Sequence, residues 1–111
     1  MAFKVLFLAH APDGEPEKHR CVIETDRYYK LLVVLVNNQE NAIKVCKEAV
    51  EKEGVQSILL CPGFTHRDIA ELSDAVGENV GISVARGDGP SSRISLKVMT
   101  SEGWFPEKGR D

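Results

Sequence analysis

The chain has 111 residues, 42% of them apolar and 28% charged, a globular balance that excludes the low-hydropathy, high-charge composition of a disordered chain. Two separate cores would each be too small to bury enough surface, so one α/β domain spanning residues 1–111 is expected. Seventeen acidic residues against fourteen Lys plus Arg give a formal charge of −3, which leaves no broad positive field for the contacts that bind nucleic acid.

Met1 to Phe3 and the apolar run after it lack the basic start, long apolar region and small-residue cleavage site of a signal peptide. The longest apolar stretch, Leu31 to Val36, is too short to span a bilayer. A cytoplasmic protein with no membrane partner is expected. Cys21, Cys46 and Cys61 are odd in number and widely spaced, which argues against a disulfide framework and a structural zinc site.

In chain order, Phe3 to Ala9 is a short apolar run suited to a buried strand, and the Pro12, Asp13-Gly14 and Pro16 breakers end it. Glu17 to Arg20 is compatible with one helical turn, and Cys21 to Thr25 has strand composition. That segment either turns back at Asp26-Arg27 as a hairpin with the next strand or takes part in a crossover. Leu31 to Val36 is continuously aliphatic, as expected of a central strand covered on both faces.

Asn37 followed by Glu40 starts a helix over about residues 39–53, with Ile43, Cys46, Ala49 and Val50 as its apolar stripe and Gly54 as its stop. Ser57 to Cys61 reads as a strand ended by Pro62-Gly63. Thr65 with Asp68 then caps a second helix whose stripe is Ile69, Leu72 and Val76, closed by Gly77 in a left-handed conformation. Val80 to Ala85 is a further strand, and the alternation of Ile94, Leu96 and Val98 suggests a half-exposed edge strand in a tail over 90–111. The expected architecture is a mostly parallel sheet of four to five strands with two main helices, Rossmann-like or flavodoxin-like.

Two right-handed crossovers that progress in one direction put both helices on one face of the sheet. The other face is left to the Pro12–Thr25 segment and the tail, which is thin cover for aliphatic strands. A homo-oligomer, a dimer foremost, is therefore expected, with Trp104-Phe105 as a contributor.

Ligands of open parallel sheets bind beyond the carboxyl ends of the strands, here His10, Asn37, Cys61 and Arg86. The loop Cys61-Pro62-Gly63-Phe64-Thr65-His66 enters a helix and offers free backbone N–H groups, and Arg86 adds positive charge. Together they suit a small anionic molecule. Cys61 near a helix start beside His66 or Arg86 is also a candidate nucleophile, with His66 a candidate acid or base; the plainer reading is a small hydrophobe at a strand end. His10, His19 and His66 have no metal-site spacing, so no metal is expected. Arg86-Gly87-Asp88 reads as a turn. No glycine-rich dinucleotide loop, phosphate-binding lysine loop or serine-hydrolase elbow is present, and no cofactor is expected.

The run Ala11 to Thr25, the aliphatic strand and Leu60-Cys61-Pro62-Gly63-Phe64 resemble a family of small bacterial and archaeal α/β proteins of unknown function. The resemblance extends to about Asp88. It implies a one-domain α/β protein without indicating a reaction, and it groups Lys18, His19, Arg20, Glu24, Cys61, Gly63, Phe64, Arg86 and Asp88 as one candidate cluster. The leading expectation is a homo-oligomeric small-molecule-binding domain. The alternatives are a small enzyme using Cys61 or His66 and an assembly module without a ligand.

Overall fold

A computed structural model describes residues 2–105. Phe3–His10 forms β1, Arg20–Glu24 β2, Tyr29–Val36 β3, Ser57–Leu60 β4 and Gly81–Val84 β5, in a single sheet of order β2-β3-β1-β4-β5. The four strands from β3 to β5 are mutually parallel. β2 pairs antiparallel with β3, Cys21 opposite Val33 and Ile23 opposite Leu31, which settles the ambiguous second segment as a hairpin. Thr25 closes that hairpin, its Oγ1 accepting from the Tyr29 N–H at 2.9 Å.

β1, not β3, occupies the middle of the sheet. The aliphatic run of β3 reports burial without rank: β3 is flanked by β1 on one side and by the wholly exposed β2 on the other.

Gln39–Glu53 forms α1, as the apolar spacing requires. Its cap is Asn38 rather than Asn37: the Asn38 Oδ1 accepts from the Asn41 N–H at 2.7 Å, the short reach of the first turn. Gly54 ends the helix at φ 72° and ψ 31°, a left-handed conformation that glycine adopts without a Cβ clash. The buried stripe is Ala42, Val45, Cys46 and Ala49, with Ile43 and Val50 on its margin.

His66–Val76 forms α2, opened by a complete capping box in which Thr65 and Asp68 exchange side-chain and backbone bonds at 3.0 Å. Leu72 is its buried anchor, flanked by the half-buried Ile69 and Val76. Gly77 has a positive φ of 89°, but its ψ of 175° turns the chain into an extended exit instead of the expected left-handed cap.

The tail departs furthest from expectation. Gly89–Ser101 is a helix, α3, in place of an edge strand, so the described residues form three helices where two main ones were expected. Pro90 sits in its first turn, where a missing N–H costs nothing. The Ile94-Leu96-Val98 alternation also contains an Ile94-Val98 pair one helical turn apart, so period two and period 3.6 compete over these few residues. No residue of α3 is buried.

From β3 the chain crosses over β1 through α1 to reach β4, and α2 carries it onward to β5. Both steps run in one direction, so both helices cover one face, where they pack on each other. Leu6, Leu8, Leu32, Val34, Val36, Ile58 and Leu60 meet Val45, Cys46, Phe64 and Leu72 there to form the core. Neither the β1–β2 loop nor α3 covers the opposite face. Gly14 instead packs that loop against β3: an added Cβ would lie 3.0 Å from the Val36 carbonyl oxygen. No helix among the described residues is long and apolar enough to cross a membrane.

Candidate functional site

Parallel strands end in register at one edge of the sheet, and His10 closes β1 one strand away from the loop that follows β4. In β1 the even positions Leu6 and Leu8 face the helices, and His10 continues that row. Its ring stacks on Phe64, with centroids 4.2 Å apart and planes at 23°. Phe64 is itself part of the core, so the imidazole is held from below by a fixed aromatic face.

Cys61 meets the same histidine. The Cys61 N–H donates to the Leu8 carbonyl at 3.1 Å, extending the β1–β4 ladder by one bond, and its Sγ accepts from the His10 N–H at 3.4 Å. Partial burial pushes this thiol up, but the His10 side chain, the His10 and Gly63 backbone bonds and the nearby imidazole charge outweigh it. The thiol is held below its ordinary value. Gly63 is the third member of the group: a Cβ there would lie 3.1 Å from His10 Nδ1 and 3.5 Å from Cys61 Sγ. Its bare backbone lets thiol, imidazole and amide share one small volume.

The other candidates divide. Thr65 is spent on the capping box, and His66 opens α2 with its side chain exposed. Arg86 pairs with Asp88 at 2.7 Å on the exposed loop after β5, and Gly87 of that loop approaches Pro62, with 3.4 Å between an added Cβ and the proline ring. His19 and Arg20 serve the β1–β2 loop: His19 Nδ1 accepts from the Glu15 N–H at 2.9 Å and Arg20 Nε donates to the Pro16 carbonyl at 2.8 Å. Lys18 pairs loosely with Glu15 at 3.9 Å, and Glu24 is exposed at the end of β2. The expected cluster therefore divides: Cys61, Gly63 and Phe64 gather with His10 in one neighbourhood, Lys18, His19 and Arg20 belong to the β1–β2 loop in a second, and Arg86, Asp88 and Glu24 stand outside both.

Arg20 lines the second neighbourhood, a cleft of about 250 Å³ between the β1–β2 loop and α1, together with Glu17, Asn37, Asn41, Lys44 and Glu48. Asn41 and Lys44 carry no distinguishing signal in the sequence, because a polar helical residue normally marks a solvated face. The partner of Cys61 is neither His66 nor Arg86 but the histidine fifty-one positions earlier.

A family of unknown function matches residues 3–99, from the first strand to the last turns of α3. The chain belongs to that family, DUF6506. Among the described residues the match takes in the five strands, α1, α2 and all but the last two residues of α3 of this DUF6506 protein, and so both neighbourhoods at the carboxyl edge. No curated protein and no solved structure matches the chain.

Proposed function

We propose that this DUF6506 protein is a one-domain small-molecule-binding module whose ligand, a small anion, is held at the carboxyl edge by the Cys61–Phe64 loop and His10. The observation that carries this reading is the convergence of His10, Cys61 and Gly63 beside the point where strand order reverses. Without the antiparallel β2, the order β3-β1-β4-β5 has the 2-1-3-4 pattern of flavodoxin-like sheets. In such sheets the crevice lies where the chain leaves neighbouring strands in opposite directions. Here β1 leads toward β2 and β4 toward β5, and the His10–Cys61 contact bridges that divide.

The donors at this point are electropositive: the imidazole, the Gly63 amide and the amino end of α2. A thiolate on Cys61 occupies the same donors and repels an anion, so the thiol form is the binding form and affinity falls as pH rises through the Cys61 titration. Three free thiols, one of them exposed on β2, favour a reducing compartment and hence the cytoplasm. The test is an amide NMR titration with inorganic phosphate and acetate. Saturable shifts at His10, Gly63 and Phe64 that weaken with rising pH support the site. Shifts confined to Arg20 and Lys44 move the ligand to the other cleft and overturn it.

A second reading rests on the Cys61 sulfur lying against His10, whose N–H donates to it at 3.4 Å. In that reading Cys61 is the nucleophile of a small enzyme and the His10 imidazole is the base, in place of His66. Rapid alkylation of Cys61 at neutral pH, measured against Cys21 in the same molecule, distinguishes it from a pure binding site.

A further inference from the structure

Side chains on paired strands share a face, so the register defines the sheet surface opposite α1 and α2. It consists of Phe3, Val5, Phe7 and Ala9 from β1, with Tyr29, Leu31, Val33 and Leu35 beside them on β3. Cys21 and Ile23 continue it on β2, and Ser57, Leu59, Gly81 and Ser83 complete it on β4 and β5. None of these positions carries a charge. By contrast, the helix-covered face has Lys4 and Lys30 near its lower rim, the latter paired with Glu53 of α1 at 3.3 Å.

Parallel sheets are found with both faces covered, because their strands are apolar on both sides. This one carries α1 and α2 on one side only, and on the other side Val5 is buried while Phe7, Leu31, Val33 and Leu35 are half-buried. Ile23 is 58% exposed and Leu59 37% exposed on that other side. Among the described residues α3 buries no side chain: Ile94 is 70% and Val98 56% exposed, one turn apart on one stripe.

We propose that two copies of this chain form a symmetric dimer through the uncharged sheet face, with the Ile94–Val98 stripe of α3 completing the contact. The occupant is a second copy because the surface is self-complementary. Turned face to face about a two-fold axis, it brings no like charges together and leaves none buried alone. Area agrees: strands about 4.8 Å apart rising about 3.3 Å per residue give this face a plan area on the order of 450 Å². Side-chain relief enlarges the accessible area above the plan value, and α3 adds to it, toward the roughly 800 Å² per partner of a stable interface. A monomer would leave two separate apolar surfaces in water, and one symmetric contact removes both. The inference stands apart from the ligand reading, since the face lies across the sheet from the His10 row.

Light scattering on the purified chain tests it, together with the variant carrying Ile23→Lys and Leu59→Lys. Both substituted positions are exposed in the single chain, so the fold tolerates them, and circular dichroism checks that it does. The expected result is a mass of twice 12.3 kDa for the unchanged chain at micromolar concentration and 12.3 kDa for the folded variant. A second variant, Ile94→Asp with Val98→Asp, is expected to raise the dimer dissociation constant at least about tenfold, the 1.4 kcal/mol equivalent of losing one buried aliphatic contact. An unchanged chain that stays monomeric overturns the proposal, as does a folded lysine variant that stays dimeric.

Discussion

The His10 N–H donates to the Cys61 sulfur at 3.4 Å across two neighbouring parallel strands, and the His10 ring stacks on Phe64 three residues further on. One histidine thereby touches both the sulfur of the loop and its aromatic anchor. His10→Asn keeps the backbone N–H but removes the imidazole, so the Cys61 thiol should rise and its alkylation at neutral pH should slow. Each unit of rise lowers the thiolate fraction about tenfold. Mass-spectrometric labelling rates against pH for Cys61, with Cys21 as an internal reference, measure this directly.

Gly63→Ala tests how tightly the group is built. The added methyl meets His10 Nδ1 at 3.1 Å while the backbone conformation itself suits any residue. The imidazole must swing away from Phe64, and the expected cost is about 1 kcal/mol together with a slower-reacting Cys61. Gly14→Ala should cost more, about 1–3 kcal/mol, because its methyl meets the Val36 backbone at 3.0 Å, which cannot turn aside. Urea unfolding of the two variants ranks them.

Stability should respond to alkaline pH through two thiols of opposite sign. Cys46 is buried in the core, and desolvation pushes it up to about 12 from an ordinary 9.0. Its contribution is complete below pH 9 and is lost as pH rises from 9 toward 12, because only the unfolded chain releases that proton there. Cys61 is lowered in the folded chain, so its contribution is present above pH 9 and is lost as pH falls through its folded value. The melting temperature should therefore decline above pH 9, and Cys46→Ala should flatten that decline while Cys61→Ala should not.

Thr65→Ala removes one half of the α2 capping box. Its Oγ1 accepts from the Asp68 N–H at 3.0 Å, and without it the cost should be about 1 kcal/mol of unfolding free energy. Because the Cys61–Phe64 loop ends on this cap, the same variant should speed amide exchange at Gly63 and Phe64. Unaltered exchange there would separate the loop from the helix start.

The local elements were legible because their signals are local. Ile43, Cys46, Ala49 and Val50 at helical spacing marked α1, Gly54 marked its stop, and Thr65 with Asp68 marked the start of α2 through a pair of bonds that spans only three residues. Crossover handedness tied the one-sided placement of α1 and α2 to strands that step in one direction, and the order β3-β1-β4-β5 meets that condition. Elsewhere local signals conflicted: at Ile94, Leu96 and Val98 both periods fit, and Pro90 with no strand beside it favoured the helix.

What the sequence by itself determined, then, is β1, β3, α1, β4, α2 and β5, since hydrophobic periodicity and caps are properties of short stretches of chain. Tertiary structure alone decided that β1 takes the middle of the sheet, that Cys61 answers to His10 and not to His66 or Arg86, and that α1 and α2 share one face. Those outcomes depend on which strands become neighbours, and strand order brings together residues fifty positions apart by packing energies that no local pattern encodes.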